Sequence, residues 1–93
     1  MRRIAALADH AGARIIPHCW ATDILVGATL HFLVTRQDAP YQEFNVADNP
    51  LRTRLLREPL VPRDGLMRVP DGPGLGIELN EETLAAYRWN PPA

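Results

Sequence analysis

Lysine is absent from this 93-residue chain and cysteine occurs once. All 10 basic residues are arginines, and against 11 acidic residues they give a formal net charge of -1. That balance argues against a nucleic-acid surface, which needs concentrated positive charge to neutralise phosphates. The arginines are dispersed, and the densest group, Arg52, Arg54 and Arg57, reads as a solvated helix face. With Cys19 alone, an internal disulfide and a cysteine zinc cluster are both excluded, and a reducing compartment is the natural home. No apolar run reaches the length of a membrane span, and Asp9 and His10 interrupt any signal-peptide core near the N-terminus. The expectation is a cytoplasmic protein with neither nucleic acid nor membrane as partner.

A hydrophobic content of 46% with 23% charge is globular. Chains of this length bury proportionally little surface on folding, so an isolated copy is expected to leave apolar surface exposed. Along the sequence, residues 2–11 carry Ile4, Leu7, Ala8 and Ala11 at helical spacing, with Gly12 as C-terminal cap. Ile15 and Ile16 then read as a short buried strand ending near Pro17, which lacks the amide hydrogen a ladder needs. Thr22 or Asp23 can cap the next helix, whose apolar run over 22–36 wants neighbours on more than one face. Residues 41–44 read as a second strand, 45–49 as a loop, and Pro50 as the start of a helix over 51–58. From Pro59 the texture becomes rich in Pro and Gly, with extended stretches at 66–69 and 76–79, a short hairpin and a last helix from Asn80 through Arg88. Such a tail suits being laid over another surface. Residues 1–58 read as βα units and 59–93 as an irregular tail.

Two arrangements of similar form stand at the expected strand ends. Residues 12–20, GARIIPHCW, deliver His18, and residues 40–44, PYQEF, deliver Glu43. With the helix run between them, strand, crossover helix and strand would place both side chains at one mouth. Imidazole titrates near neutrality, which suits proton abstraction or return, although a structural or capping histidine is the plainer use. Glu43 could hydrogen-bond a substrate oxygen or donate a proton. Cys19 and Trp20 could line the same pocket, the indole lowering the local dielectric. A thiol nucleophile is disfavoured because no second histidine has an evident position as its base. His31 is expected to be packed with one nitrogen bonded, His10 to be exposed, and Asp23 to be a helix cap or a pocket group. His18 and Glu43 supply at most two ligands, too few for magnesium or catalytic zinc, so the chain by itself holds no metal. The glycines of DGPGLG, residues 71–76, lack the lysine and the strand-loop-helix setting of a phosphate loop.

The segments PHCWATDI, YQEF and VPDGPGLGIELNEETLAAY resemble the C-terminal end of an enolase-superfamily enzyme of the mandelate racemase and muconate lactonizing group. The closing segment carries the resemblance furthest, through Val69, Pro70, Gly72, Pro73, Gly74, Leu75, Gly76 and Ile77, and it extends over essentially the whole chain. The resemblance implies an α/β fold, a partial TIM-type (β/α) barrel with two parallel strands, flanking helices and an irregular tail, residues 59–93, as a return segment that would pack on a capping domain. It implies a magnesium-dependent lyase or isomerase that removes the proton α to a carboxylate, as a dehydratase of acid sugars or hydroxyproline, or a racemase. His18 would match the proton-transfer histidine, which the family orients with an aspartate on another strand. Glu43 would match the acid that hydrogen-bonds the substrate carboxylate or its enediolic form. The metal carboxylates, the aspartate partner of His18 and the capping domain have no counterpart here, so the isolated chain is expected to be inert and to bind no cofactor. His18 is expected to lack an orienting carboxylate in the chain, and a buried Asp9, Asp23 or Asp38 against its ring would contradict this.

The alternative is a small non-catalytic oligomeric module, with the apolar helix and strand edges buried between copies. Intact-mass measurement of the cellular protein that carries this segment separates the two. A product much longer than 93 residues is expected for the enzyme reading; a native product of 93 residues favours the module.

Overall fold

The computed structural model describes residues 1–37 and 41–91. Helix α1 spans Arg2–His10, α2 Asp23–Leu33, α3 Pro50–Thr53 and α4 Glu81–Ala86. Gly12, at φ +64°, ends α1 as the cap position demands. The Ala13 N–H donates to the Ala8 carbonyl at 2.8 Å and the Gly12 N–H to the Asp9 carbonyl at 3.2 Å, a Schellman arrangement. A two-pronged ion pair from the Arg36 guanidinium to Asp9 ties this helix to the chain just beyond α2.

The expected partial TIM-type barrel with two parallel strands is not what forms. Among the described residues, segments 13–20 and 41–46 belong to no strand, and the β-pairings are two isolated antiparallel bridges, Leu56 with Leu79 and Arg63 with Leu66. The local chemistry explains the difference. Pro17 has no N–H to give a ladder, and the Cys19 N–H goes to the Glu43 side chain at 2.7 Å instead of to a carbonyl. A pair of strands with no further neighbours is also marginal in water. Pro40 of the PYQEF segment and Asp38 lie outside the described residues.

The third helix is shorter than the span 51–58. Asn49 caps it, its Oδ1 accepting from the Leu51 N–H at 2.9 Å, but Leu55 and Leu56 leave the helix and are buried. There the backbone pairs with the tail: the Arg57 N–H donates to the Glu78 carbonyl at 3.0 Å and the Asn80 N–H to the Leu55 carbonyl at 2.8 Å. Asn80 also starts α4, its Oδ1 accepting from the Glu82 and Thr83 N–H groups at 3.1 and 3.2 Å. That helix stops at Ala86, two residues short of Arg88, and the Thr83 hydroxyl donates to the Arg54 carbonyl at 2.9 Å. The hairpin turns at Asp64 and Gly65, both at positive φ, the pattern of a type I′ turn.

The surface over which the tail lies is α2 itself. Cys19, Val26 and Leu30 form the buried cluster, and Leu60, Met67 and Val69 of the tail pack against it with Leu25. Ile77 and Leu60 pack over Gly27, where an added Cβ would sit at ordinary contact distance, 3.6 Å from each. His31 is held as its setting suggests, Nε2 lying 3.0 Å from the Leu75 carbonyl. Asp23 serves neither as cap nor as pocket group. It is buried at the start of α2, its Oδ2 accepts the Leu60 N–H at 3.4 Å, and loss of solvent raises its carboxyl above the ordinary 3.8.

Little else is enclosed. The radius of gyration is 15.2 Å, against about 12 Å for a compact domain of this length. Ile4, Leu7, Ile16, Trp20 and Trp89 are exposed. No helix of the described residues is long and apolar enough to cross a membrane.

The bend of the tail rests on Gly76, at φ +66°, where an added Cβ would fall 2.7 Å from the Gly72 nitrogen and 2.8 Å from the Pro70 Cβ. Gly76→Ala is expected to cost at least about 1–2 kcal/mol from the left-handed backbone alone. Urea denaturation of the two chains checks this, and an unchanged midpoint would contradict it.

Candidate proton-transfer site

The site is assembled from the two segments that fail to form a ladder. Where a strand pair would have joined them through carbonyls, the Glu43 carboxylate gathers three donors from consecutive residues. Oε2 accepts the Cys19 N–H at 2.7 Å and lies 2.8 Å from His18 Nδ1, and Oε1 accepts the Trp20 indole N–H at 3.2 Å. The indole and the imidazole lie nearly parallel, with 12° between planes and 6.1 Å between centroids. The Cys19 N–H hydrogen bond holds the Glu43 carboxyl below its ordinary 4.5, and Trp20 and His18 add to this against the opposing effect of partial burial.

An ionised carboxylate can only accept, so the proton at the His18–Glu43 contact sits on Nδ1. In the neutral ring, Nε2 is then the nitrogen with a free lone pair, and 74% of the His18 side chain is exposed. The arrangement can take a proton at Nε2 and stabilise the resulting imidazolium through Glu43. His18 therefore does have an orienting carboxylate in the chain, and it is Glu43 rather than an aspartate. Asp9 pairs with Arg36, Asp23 accepts from Leu60, and Asp38 lies outside the described residues.

The other expected site residues part company. Trp20 is 62% exposed beside His18, whereas Cys19 turns its side chain into the core and is 3% exposed. Its Sγ lies 3.2 Å from Thr29 Oγ1 and receives the Gln42 Nε2–H at 2.8 Å. Sequence reasoning passed over Thr29 and Gln42; the available signals were a hydroxyl inside an apolar helix run and a polar amide adjoining Glu43. His10 is exposed. Among the described residues, no group of three or more His, Cys, Asp or Glu side chains is placed to hold a metal ion. His18 and Glu43 are already bonded to one another, so the residues present do not fit a magnesium site.

Residues 1–83 match the family model described as enolase C-terminal domain-like. The chain is 39% identical to a D-galactarolactone cycloisomerase of Agrobacterium fabrum, over 99% of this chain and 26% of that protein. It is 35% identical to an L-rhamnonate dehydratase of Saccharopolyspora erythraea, over 86% of this chain and 21% of that protein. The crystal structure of the 3,6-anhydro-D-galactonate cycloisomerase from Zobellia galactanivorans superposes with a TM-score of 0.79 at 31% identity, covering 92% of this chain and 24% of that one. The chain thus spans about a quarter of the length of these relatives.

The depressed Glu43 carboxyl sets the sign of a pH effect. Between the folded value and the ordinary 4.5 the unfolded chain binds more protons, so the contribution of Glu43 is present above 4.5 and is lost as pH falls through the folded value. Urea denaturation is expected to find Glu43→Gln less stable than the parent at neutral pH, with the gap closing in acid. A gap that persists unchanged below the folded value would contradict the assignment.

Proposed function

The chain belongs to the enolase C-terminal domain-like family, and from that premise we propose that it is the proton-transfer portion of a longer lyase or isomerase acting on a small carboxylate. The observation that carries this is the Nδ1 contact to Glu43 at 2.8 Å, which leaves Nε2 of an exposed His18 as base. The sugar-acid names of the relatives support an acid-sugar substrate, with dehydration or cycloisomerisation as the reaction. His18 would break the C–H bond α to the carboxylate by taking the proton on Nε2, leaving the electron pair in the enediolate. Returned to a departing β-hydroxyl the proton gives dehydration; returned to carbon it gives isomerisation or racemisation. Glu43, held ionised, is a poor donor to an enediolate oxygen and acts here by orienting His18. Trp20 would form an apolar wall beside the ring.

Magnesium, implied for the full-length enzyme, would stabilise enediolate charge when bound, and its ligands would come from outside this chain. The exposed apolar residues Ile4, Leu7 and Ile16 would be covered by the remaining length of the protein or by a second copy. A capping domain would meet the outer face of residues 59–93. A cytoplasmic location accords with the free thiol of Cys19.

The test is α-proton exchange in heavy water, with the longer gene product and a panel of sugar acids. His18→Asn is expected to lower exchange about 10²–10⁴-fold. Exchange retained in that variant would contradict the proposal.

A further inference from the structure

We propose that Cys19 and Thr29, both buried, and the half-buried Gln42 form a positioning relay that fixes the His18–Glu43 pair to the side of α2. Its functional meaning rests on the proton-transfer reading of that pair, but its structural content does not.

The direction of each hydrogen bond follows from counting protons. Thr29 is 1% exposed, and its hydroxyl proton is committed to α2, with the Leu25 carbonyl at 2.8 Å and the Val26 carbonyl at 3.0 Å. A hydroxyl has one proton, so at the 3.2 Å contact between Sγ and Oγ1 the thiol must be the donor. The sulfur then offers only lone pairs, and Gln42 Nε2 donates to it at 2.8 Å. The same amide nitrogen donates to the Glu43 carbonyl at 2.9 Å. Amide to sulfur, thiol to hydroxyl and hydroxyl to helix carbonyl thus run in one direction.

This relay holds Glu43 by both ends. Its carboxylate is held by the Cys19 N–H, and its carbonyl by Gln42, whose amide is anchored on the Cys19 sulfur. Cys19 also stands between His18 and Trp20 in sequence, so the step that sends its thiol into the core sends its two neighbours outward to the carboxylate. Among the described residues, the relay side chains bond to one another, to α2 and to the Glu43 backbone, while the imidazole bonds to the Glu43 carboxylate. Cys19, Thr29 and Gln42 are positioning residues, and buried packing on α2 becomes placement of an exposed proton carrier through them.

Thr29→Val removes the hydroxyl while keeping the shape, and Thr29→Ser keeps the hydroxyl. In the isotopically labelled 93-residue chain, the Glu43 carboxyl midpoint is read by carbon-13 NMR across acid pH. The Cys19 N–H is the largest cause of its depression, so Thr29→Val is expected to shift the midpoint upward and Thr29→Ser to restore the parent value. His18 is the titratable group in contact with the carboxylate and is unchanged in these variants. Gln42→Met, which removes the donor to sulfur, is expected to shift the midpoint in the same direction, and it decides the matter if Thr29→Val does not fold. Parent-like midpoints in both Thr29→Val and Gln42→Met would overturn the relay, as would a serine variant shifted as far as the valine. Loss of the proton-transfer reading alone, through exchange activity surviving in His18→Asn, would leave these titrations unchanged.

Discussion

The hydrogen bond from the Cys19 N–H to the Glu43 carboxylate, 2.7 Å long, joins two stretches of chain that share no backbone ladder. Contacts of Glu43 with His18 and Trp20, and of Gln42 with the Cys19 sulfur, join the same two stretches beside it. Because the acceptor is a charged side chain, the bond is stronger than the neutral backbone pairing it replaces, and it organises the neighbours of both partners. His18 and Trp20 converge on the same two oxygens because they flank the donor residue. The site is thus a consequence of how the segments are tied together.

The anchoring extends into the fold through α2. That helix presents apolar residues on more than one face, and the irregular tail answers by folding back across it through Leu60, Met67 and Val69, with His31 and Asp23 bonded to tail backbone. Buried Asp23 gains one hydrogen bond and loses solvent, so it holds the tail at some electrostatic cost. The same chain leaves Ile4, Leu7 and Ile16 in water. The chain, about a quarter as long as its relatives, combines a well-tied centre with an exposed apolar rim.

Local chemistry was legible in the sequence wherever it is decided locally. Gly12 closes α1, Asn80 opens α4, and the apolar run over α2 forms a helix that needs cover, each for the reason its residue type supplies. The family was legible too, in the closing segment above all. The strands were not, because their formation depends on neighbours that lie outside the pattern of either segment, and a β-branched pair such as Ile15 and Ile16 reads alike with or without a partner. The length of α3 was missed for a similar reason: Leu55 and Leu56 abandon the helix to meet Leu79 and Asn80 far along the chain. His18 and Glu43 were found as candidates, but their direct bond was not, since the expected role of Glu43 pointed it at a substrate and not at the imidazole.

Nitrogen-15 correlation spectra of the imidazole test most directly whether Glu43 fixes the tautomer of His18. The neutral His18 ring is expected to carry its proton on Nδ1, with Nε2 free, and to return toward the ordinary tautomer mixture in Glu43→Gln. A parent ring protonated mainly at Nε2, or one indifferent to the Glu43 substitution, would contradict it.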